Sequence, residues 1–154
     1  MQQRINPYEN GDNSMRGLFG LSSGLSKSTI EKSLQDLISF RVSQINGCAY
    51  CLDMHSKDLR AEGEAEQRLY MMDVWRETTL YTERERAAFA WAEAVTKLTD
   101  NNVPDQVYQD TRKQFSEQEL VDLTLAVIAI NSFNRINIAF RLPAGNYKVG
   151  MHAV

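Results

Sequence analysis

The chain has 154 residues, 43% of them apolar, 24% charged and 9% aromatic, which is ordinary globular usage and excludes disordered, collagenous and disulfide-scaffold compositions. A domain of this size buries roughly two thirds of the surface its unfolded form exposes, so the two cysteines are not needed as staples. Seventeen Lys and Arg against twenty Asp and Glu give a net charge of -3 with no basic run, which argues against nucleic acid as a partner. The longest strongly apolar stretch, Leu123 to Ile130, falls short of the roughly 20 residues of a membrane span, so no membrane partner is expected. The N-terminal sequence MQQRINPYEN lacks the apolar segment of a secretory signal, and the expected location is the reducing cytoplasm.

Proline stands only at Pro7, Pro104 and Pro143. Between the first two the chain is rich in Ala, Leu, Glu, Gln and Arg, which predicts an all-α fold. Gly11, Gly17, Gly20 and Gly24 predict an irregular lead-in over residues 1–25, with one short helix around Met15 to Phe19. The helical domain is expected over 26–147, followed by a tail at 148–154.

The first helix of that domain opens at Ser28, whose spacing to Glu31 makes a capping box. Its apolar positions Ile30, Leu34, Leu37, Ile38, Val42 and Ile45 follow a helical period, and it ends near Asn46 and Gly47. Asp36, Phe40, Ser43 and Gly47 fall on the opposite face, giving the helix two contact faces. A second helix runs from Cys48 to Glu62 and stops at Gly63, a left-handed C-cap. Cys48, Cys51, Leu52, His55 and Leu59 share one face of it.

Glu64 to about Trp75 reads as a short helix with Leu69, Met72 and Trp75 inward. Thr82 with Glu85 forms another capping box, opening a helix with Phe89, Trp91, Val95 and Leu98 that ends in the turn Thr99 to Asn102. Pro104 suits the start of a helix to about Phe115. Ser116 with Glu119 opens the last long helix, whose segment Leu120 to Ile130 is apolar nearly all round. Such a helix is buried on several sides, centrally or against another subunit, and a homo-oligomer is consistent with it. Asn131, Asn134 and Arg135 interrupt it and read as interhelical hydrogen-bonding groups. Trp75 and Trp91 read as core or interface aromatics.

The informative segment is Cys48-Ala49-Tyr50-Cys51-Leu52-Asp53-Met54-His55. Thiols at i and i+3 lie one above the other on a helix, within reach of a disulfide. The imidazole of His55 sits one turn beyond Cys51 on the same face. The helix N-terminus adds partial positive charge that favours thiolate over thiol. A thiolate of this kind attacks the O–O bond of a peroxide, and the sulfenic acid formed is resolved by the second thiol.

Other chemistries fit parts of the segment. Cys48, Cys51 and His55 are three acceptable zinc ligands, but a structural site needs a fourth and the other histidine is His152. Haem attachment requires His directly after the second Cys, where Leu52 stands. Thioredoxin-type motifs accompany a strand-helix-strand pattern that is missing from the sequence. Two inert buried cysteines fit the residues as well. Tyr50, between the cysteines, either lines a pocket or packs.

The run Leu37 to His55, LISFRVSQINGCAYCLDMH, resembles the core motif of the alkylhydroperoxidase D-like branch of the carboxymuconolactone decarboxylase family. The likeness extends through Glu66 to Tyr70, Trp75 to Thr78, Thr82 to Arg86 and Ile130 to Arg135, covering the chain from about residue 25 to 147. It implies an all-α bundle that assembles into trimers or hexamers and reduces hydrogen peroxide or organic hydroperoxides without metal, haem or other cofactor. It also implies regeneration by an external dithiol, a dihydrolipoyl protein or thioredoxin-like donor. The family motif is a Glu, eleven residues, then CxxC and the His. Carried over, Cys51 is the attacking thiol and Cys48 the resolving one, while His55 relays the proton together with the upstream carboxylate. That carboxylate position holds Asp36, one methylene shorter than the family Glu. The shortening keeps alive a second reading, a redox sensor or disulfide-exchange module with little peroxide turnover. The family's decarboxylase chemistry, which does not depend on a CxxC pair, fits less well.

Overall fold

The computed structural model describes residues 2–151, and within them every regular element is helical. His152, weighed above as a fourth zinc ligand, lies outside the described residues. The elements are α1 (Pro7–Asn10), α2 (Asp12–Leu25), α3 (Lys32–Asn46), α4 (Ala49–Ala61), α5 (Glu66–Met71), α6 (Glu83–Lys97), α7 (Asp105–Arg112) and α8 (Glu117–Phe140), with short 3-10 turns at Met72–Glu77 and Thr99–Asn101.

α3 is the organising helix because its two faces carry different cores. Leu34, Ile38 and Val42 pack with Ala88, Trp91 and Ala92 of α6 and Leu123, Val127 and Ile130 of α8. Leu37 and Phe40 pack instead with Leu59 of α4, Leu69 of α5, and Met72, Trp75, Tyr81 and Phe89. The 3.6-residue period divides these sets between two sides of one cylinder, as the sequence predicts. α8 passes through the bundle against α2, α3 and α6. By length and composition it is apolar enough to cross a membrane, which the short stretch Leu123 to Ile130 did not anticipate. Here it is a core helix, with Asn134 and Asn137 buried on it.

Four expectations are corrected. The lead-in is helical rather than irregular, because α2 gains tertiary packing. Leu25 lies against Ala126 and Ala129 of α8, and Phe19 stacks between Tyr8 and Phe133. The interior glycines Gly17, Gly20 and Gly24 face open space, so their cost of about 1 kcal/mol each is met by burial on the other side. The Ser28–Glu31 box does not form. Glu31 is the N-cap residue of α3, its carboxylate is held by Arg84, and the Ser28 hydroxyl accepts from the Ile30 N–H. The segment after Glu64 is two pieces, because the backbone departs from helical angles at Val74. Leu98 is not a buried helix position; it is the left-handed cap of α6 and half exposed. The boxes at Thr82–Glu85 and Ser116–Glu119 both form, with reciprocal hydrogen bonds.

Candidate functional site at the start of α4

Gly47 and Cys48 connect α3 to α4 and fix where the cysteines stand. Gly47 adopts φ 66°, a conformation glycine enters without steric cost. Its N–H donates to the Gln44 carbonyl at 3.2 Å and the Cys48 N–H to the Ser43 carbonyl at 3.1 Å, the pair of bonds that closes a Schellman motif. Cys48 therefore emerges in an extended conformation as the N-cap of α4, and its sulfur accepts the Cys51 N–H at 3.4 Å. In this position a sulfur stands where a Ser or Asp oxygen usually caps. The two cysteines, 5.4 Å apart at Cα, are joined as a disulfide. Each is only 1% exposed.

The Cys51 sulfur has a donor of its own. The side-chain amide of Asn137, on α8, donates from Nδ2 to Cys51 Sγ at 3.2 Å. Its Oδ1 in turn accepts from the Tyr8 hydroxyl at 2.8 Å. Tyr8 is carried there because the N-terminal segment is tied to the end of α8, with the Arg4 N–H on the Phe140 carbonyl and its guanidinium on that of Ala139. Burial pushes the Tyr8 phenol up to about 12, outweighing the Asn137 hydrogen bond, so it remains a proton donor at neutral pH.

His55 lies one turn along α4 from Cys51. Its Nε2 is buried and hydrogen-bonds to no described residue. Burial first, and the positive charge of Lys32 second, push the imidazole down to about 4, so the ring is neutral at physiological pH. A neutral imidazole one turn from the cysteines is able to exchange a proton with a molecule that enters the site.

Asp36 occupies the first turns of α3 and does not meet His55 directly. Lys32 Nζ lies 2.6 Å from Asp36 Oδ2 and 2.5 Å from Glu62 Oε1, at the end of α4. Burial pushes the Asp36 carboxyl up to about 6, with the charge and hydrogen bond of Glu62 adding to that effect and Lys32 opposing it. The Lys32 hydrogen bond holds Glu62 below its ordinary value, and the bond from Asp36 lowers it further. The two form a carboxyl–carboxylate pair in which Asp36 is the protonated member as pH falls toward 6.

The remaining residues singled out above have structural partners. Asn46 donates to Asn131 and Asn134 at 2.9 Å each, and Asn134 donates to the Ser43 hydroxyl at 3.0 Å, so these amides tie α8 to the end of α3. Arg135 binds Asn131 within its own helix. Trp75 and Trp91 are core residues whose indole N–H groups reach Glu93 and Thr124. Tyr50 is half-buried, and burial raises its phenol. With the cysteines joined, both thiolate donors of a zinc site are engaged, and among the described residues no three His, Cys, Asp or Glu side chains converge to hold a metal.

Asn137, Tyr8, Lys32 and Glu62 were not foreseen as part of this site. Asn137 continues the spacing of Asn131 and Asn134 by three more residues, a polar stripe visible in the sequence. Lys32 is four residues before Asp36, a readable helix pair. Nothing local announces Glu62 or Tyr8, which arrive through tertiary folding.

Residues 13–94 match the carboxymuconolactone decarboxylase family, and the chain belongs to that family. It is 40% identical over 139 residues to the uncharacterized protein YdfG of Bacillus subtilis (strain 168), covering 90% of this chain and 95% of that one. The crystal structure of ATU0492 from Agrobacterium tumefaciens, a protein of unknown function suggested to be the antioxidant defence protein AhpD, superposes with a TM-score of 0.90 at 39% identity, covering 95% of this chain and all of that one. An uncharacterized peroxidase-related protein with an alkylhydroperoxidase AhpD core, from Ralstonia eutropha JMP134, shares the fold with a TM-score of 0.76 at 19% identity, over 87% of this chain and 72% of that one. The fold is thus AhpD-like, and with the Cys48–Cys51 disulfide it is compatible with a redox role.

Proposed function

We propose that this protein is a thiol-dependent peroxidase that reduces hydrogen peroxide or organic hydroperoxides through the Cys48–Cys51 pair. The observation that carries the reading is that pair, joined at the N-terminus of α4 with His55 one turn away. In the first step the Cys51 thiolate attacks one peroxide oxygen, breaking the O–O bond to give Cys51 sulfenic acid and an alkoxide or hydroxide, which takes up a proton. The Cys48 thiol then attacks the sulfenic sulfur, forming the disulfide and releasing water. The disulfide takes two electrons and two protons from an external dithiol, a dihydrolipoyl protein or thioredoxin-like donor, in a reducing compartment such as the cytoplasm.

His55 fits the role of proton carrier because its ring is held neutral and stands one turn along α4 from Cys51. Asp36 fits that of a proton reservoir, since a carboxyl near 6 exchanges protons close to neutral pH. The nearly all-apolar surface of Leu120 to Ile130, with Val121 and Ile128 exposed in the single chain, is consistent with a trimer or hexamer.

One observation favours the redox-sensor reading: Asp36 is engaged with Lys32 and Glu62 rather than with His55. Turnover separates the two. Fully reduced, chelator-treated protein is mixed with one equivalent of cumene hydroperoxide, and free thiols and intact mass are followed in time. Rapid loss of both thiols with the mass change of one internal disulfide, repeated when dithiol is supplied, supports the peroxidase. Thiols that disappear no faster than those of free cysteine overturn it.

A further inference from the structure

Asn137 stands out on α8 because its amide reaches a sulfur. Asn131 and Asn134 spend their side chains on Asn46, Thr96 and Ser43. The next Asn along the same stripe has Cys51 Sγ on one side and the Tyr8 hydroxyl on the other. Its orientation is determined chemically. A disulfide sulfur or a thiolate has no proton to give, so the NH2 end must face it, and the carbonyl end then receives the Tyr8 hydroxyl proton. Asn137 is 4% exposed and Cys51 1%, and a hydrogen bond so thoroughly desolvated is stronger than the same contact in water. The backbone adds rigidity: the Asn137 carbonyl accepts the Leu142 N–H at 3.0 Å in the turn that ends α8.

Resting on the peroxidase reading for its chemistry, we infer that Asn137 is a catalytic residue whose amide stabilises the Cys51 thiolate and so marks Cys51 as the attacking sulfur, with Tyr8 as the residue that positions the amide. The two sulfurs have different donors. Cys48 has the backbone N–H of Cys51, part of the helix itself, whereas Cys51 has a side chain from another helix. Disulfide reduction gains from the same contact. When an external thiolate attacks Cys48, the Cys48–Cys51 bond breaks and the electron pair leaves on Cys51, where Asn137 receives it; a stabilised thiolate is the better leaving group. The titratable groups around this contact include Cys48 and Tyr8 themselves, His55 one turn along α4, and Tyr50, whose charge bears on Tyr8 and on Tyr147. From α3 come Lys32, whose charge reaches His55, and Asp36 paired with Glu62. α8 contributes the neutral amide alone.

The test titrates one thiol at a time, without peroxide. In a Cys48→Ser background, the Cys51 thiolate is followed by absorbance near 240 nm and by alkylation rate against pH. Adding Asn137→Asp is expected to lower the thiolate fraction at a fixed pH below the midpoint about tenfold or more, and Tyr8→Phe to lower it by a smaller factor. In a Cys51→Ser background, Asn137→Asp should move the Cys48 midpoint by a clearly smaller factor, because Cys48 lies one S–S bond further from the substituted side chain, whereas a general loosening of the fold would move both alike. An unchanged Cys51 midpoint in folded Asn137→Asp, or equal shifts at both sulfurs, overturns the inference. Should Asn137→Asp fail to fold, Tyr8→Phe decides: it deletes one oxygen, and an unmoved Cys51 midpoint overturns the inference. The kinetic signature is a crossover, because nucleophilicity rises with thiol pKa. The Asn137 variant should alkylate more slowly at neutral pH and at least as fast once both proteins are fully ionised. These readouts hold if peroxide is never consumed, so failure of the peroxidase reading and failure of this inference are distinguishable.

Discussion

Asp36 and Glu62 are bridged by Lys32 at the end of the α3–α4 hairpin, its Nζ lying 2.6 Å from Asp36 Oδ2 and 2.5 Å from Glu62 Oε1, and the two carboxyls shift each other's ionisation. Removing the negative charge in Glu62→Gln makes ionisation of Asp36 easier, so its midpoint should fall below about 6. Removing the positive charge in Lys32→Met makes ionisation harder and should raise it. A carboxyl-carbon NMR titration reads both shifts, and movement in the same direction would show that the three groups are not coupled as described. In peroxide assays, Asp36→Glu should raise activity and Asp36→Asn lower it; no change in either would remove Asp36 from the mechanism.

The cysteines make a sharper pair. Cys51→Ser should abolish peroxide consumption, since no attacking thiolate remains. Cys48→Ser should permit one oxidation, which stalls as Cys51 sulfenic acid detectable by mass and by a sulfenate-trapping reagent. Equal residual turnover in both variants would overturn the assignment of roles.

The linear pattern located the dithiol, the imidazole one turn later and the carboxylate face of α3, because each depends on spacing within or next to one helix. It also located the breaks at Gly47 and Gly63 and two of the three capping boxes, which are local hydrogen-bond devices. It failed at Ser28, where Arg84 takes the Glu31 carboxylate that a capping box would have used. It failed over residues 1–25, where burial of Leu25 and stacking of Phe19 outweigh the intrinsic cost of glycine. Tyr8 and Asn137 meet across almost the whole chain, and no window of sequence contains that contact.

Gly47→Ala tests how firmly the α3–α4 turn sets the site. A Cβ at Gly47 meets nothing within 4 Å, so the cost comes from the backbone at φ 66° rather than from a clash. About 1 kcal/mol or more of stability should be lost, read as a lower urea midpoint. Because Gly47 and Cys48 supply the two N–H groups that close the turn, the thiolate fraction of Cys48 should change as well. Loss of stability with both thiol midpoints unmoved would separate the turn from the site's electrostatics.

His55 and Asp36 pull the pH dependence of stability in opposite directions. The imidazole titrates at 6.5 in the unfolded chain and at about 4 in the folded one. Between those values the unfolded state binds more protons, so the His55 contribution is complete above 6.5 and is lost as pH falls through 4. Asp36 runs from 3.8 unfolded to about 6 folded. There the folded state binds more protons, so its contribution is complete below 3.8 and is lost as pH rises through 6. Urea midpoints measured from pH 4 to 7.5 on the parent, His55→Gln and Asp36→Asn separate the two contributions: carboxylates that contact neither residue cancel, and the Asp36→Asn difference reads the coupled Asp36–Glu62 pair. The stability of the parent relative to His55→Gln should increase across this range up to 6.5, while that relative to Asp36→Asn should decrease up to 6. Curves that stay parallel for His55→Gln would mean the ring is not held neutral by burial, and its role as the site's proton carrier would lose its physical basis.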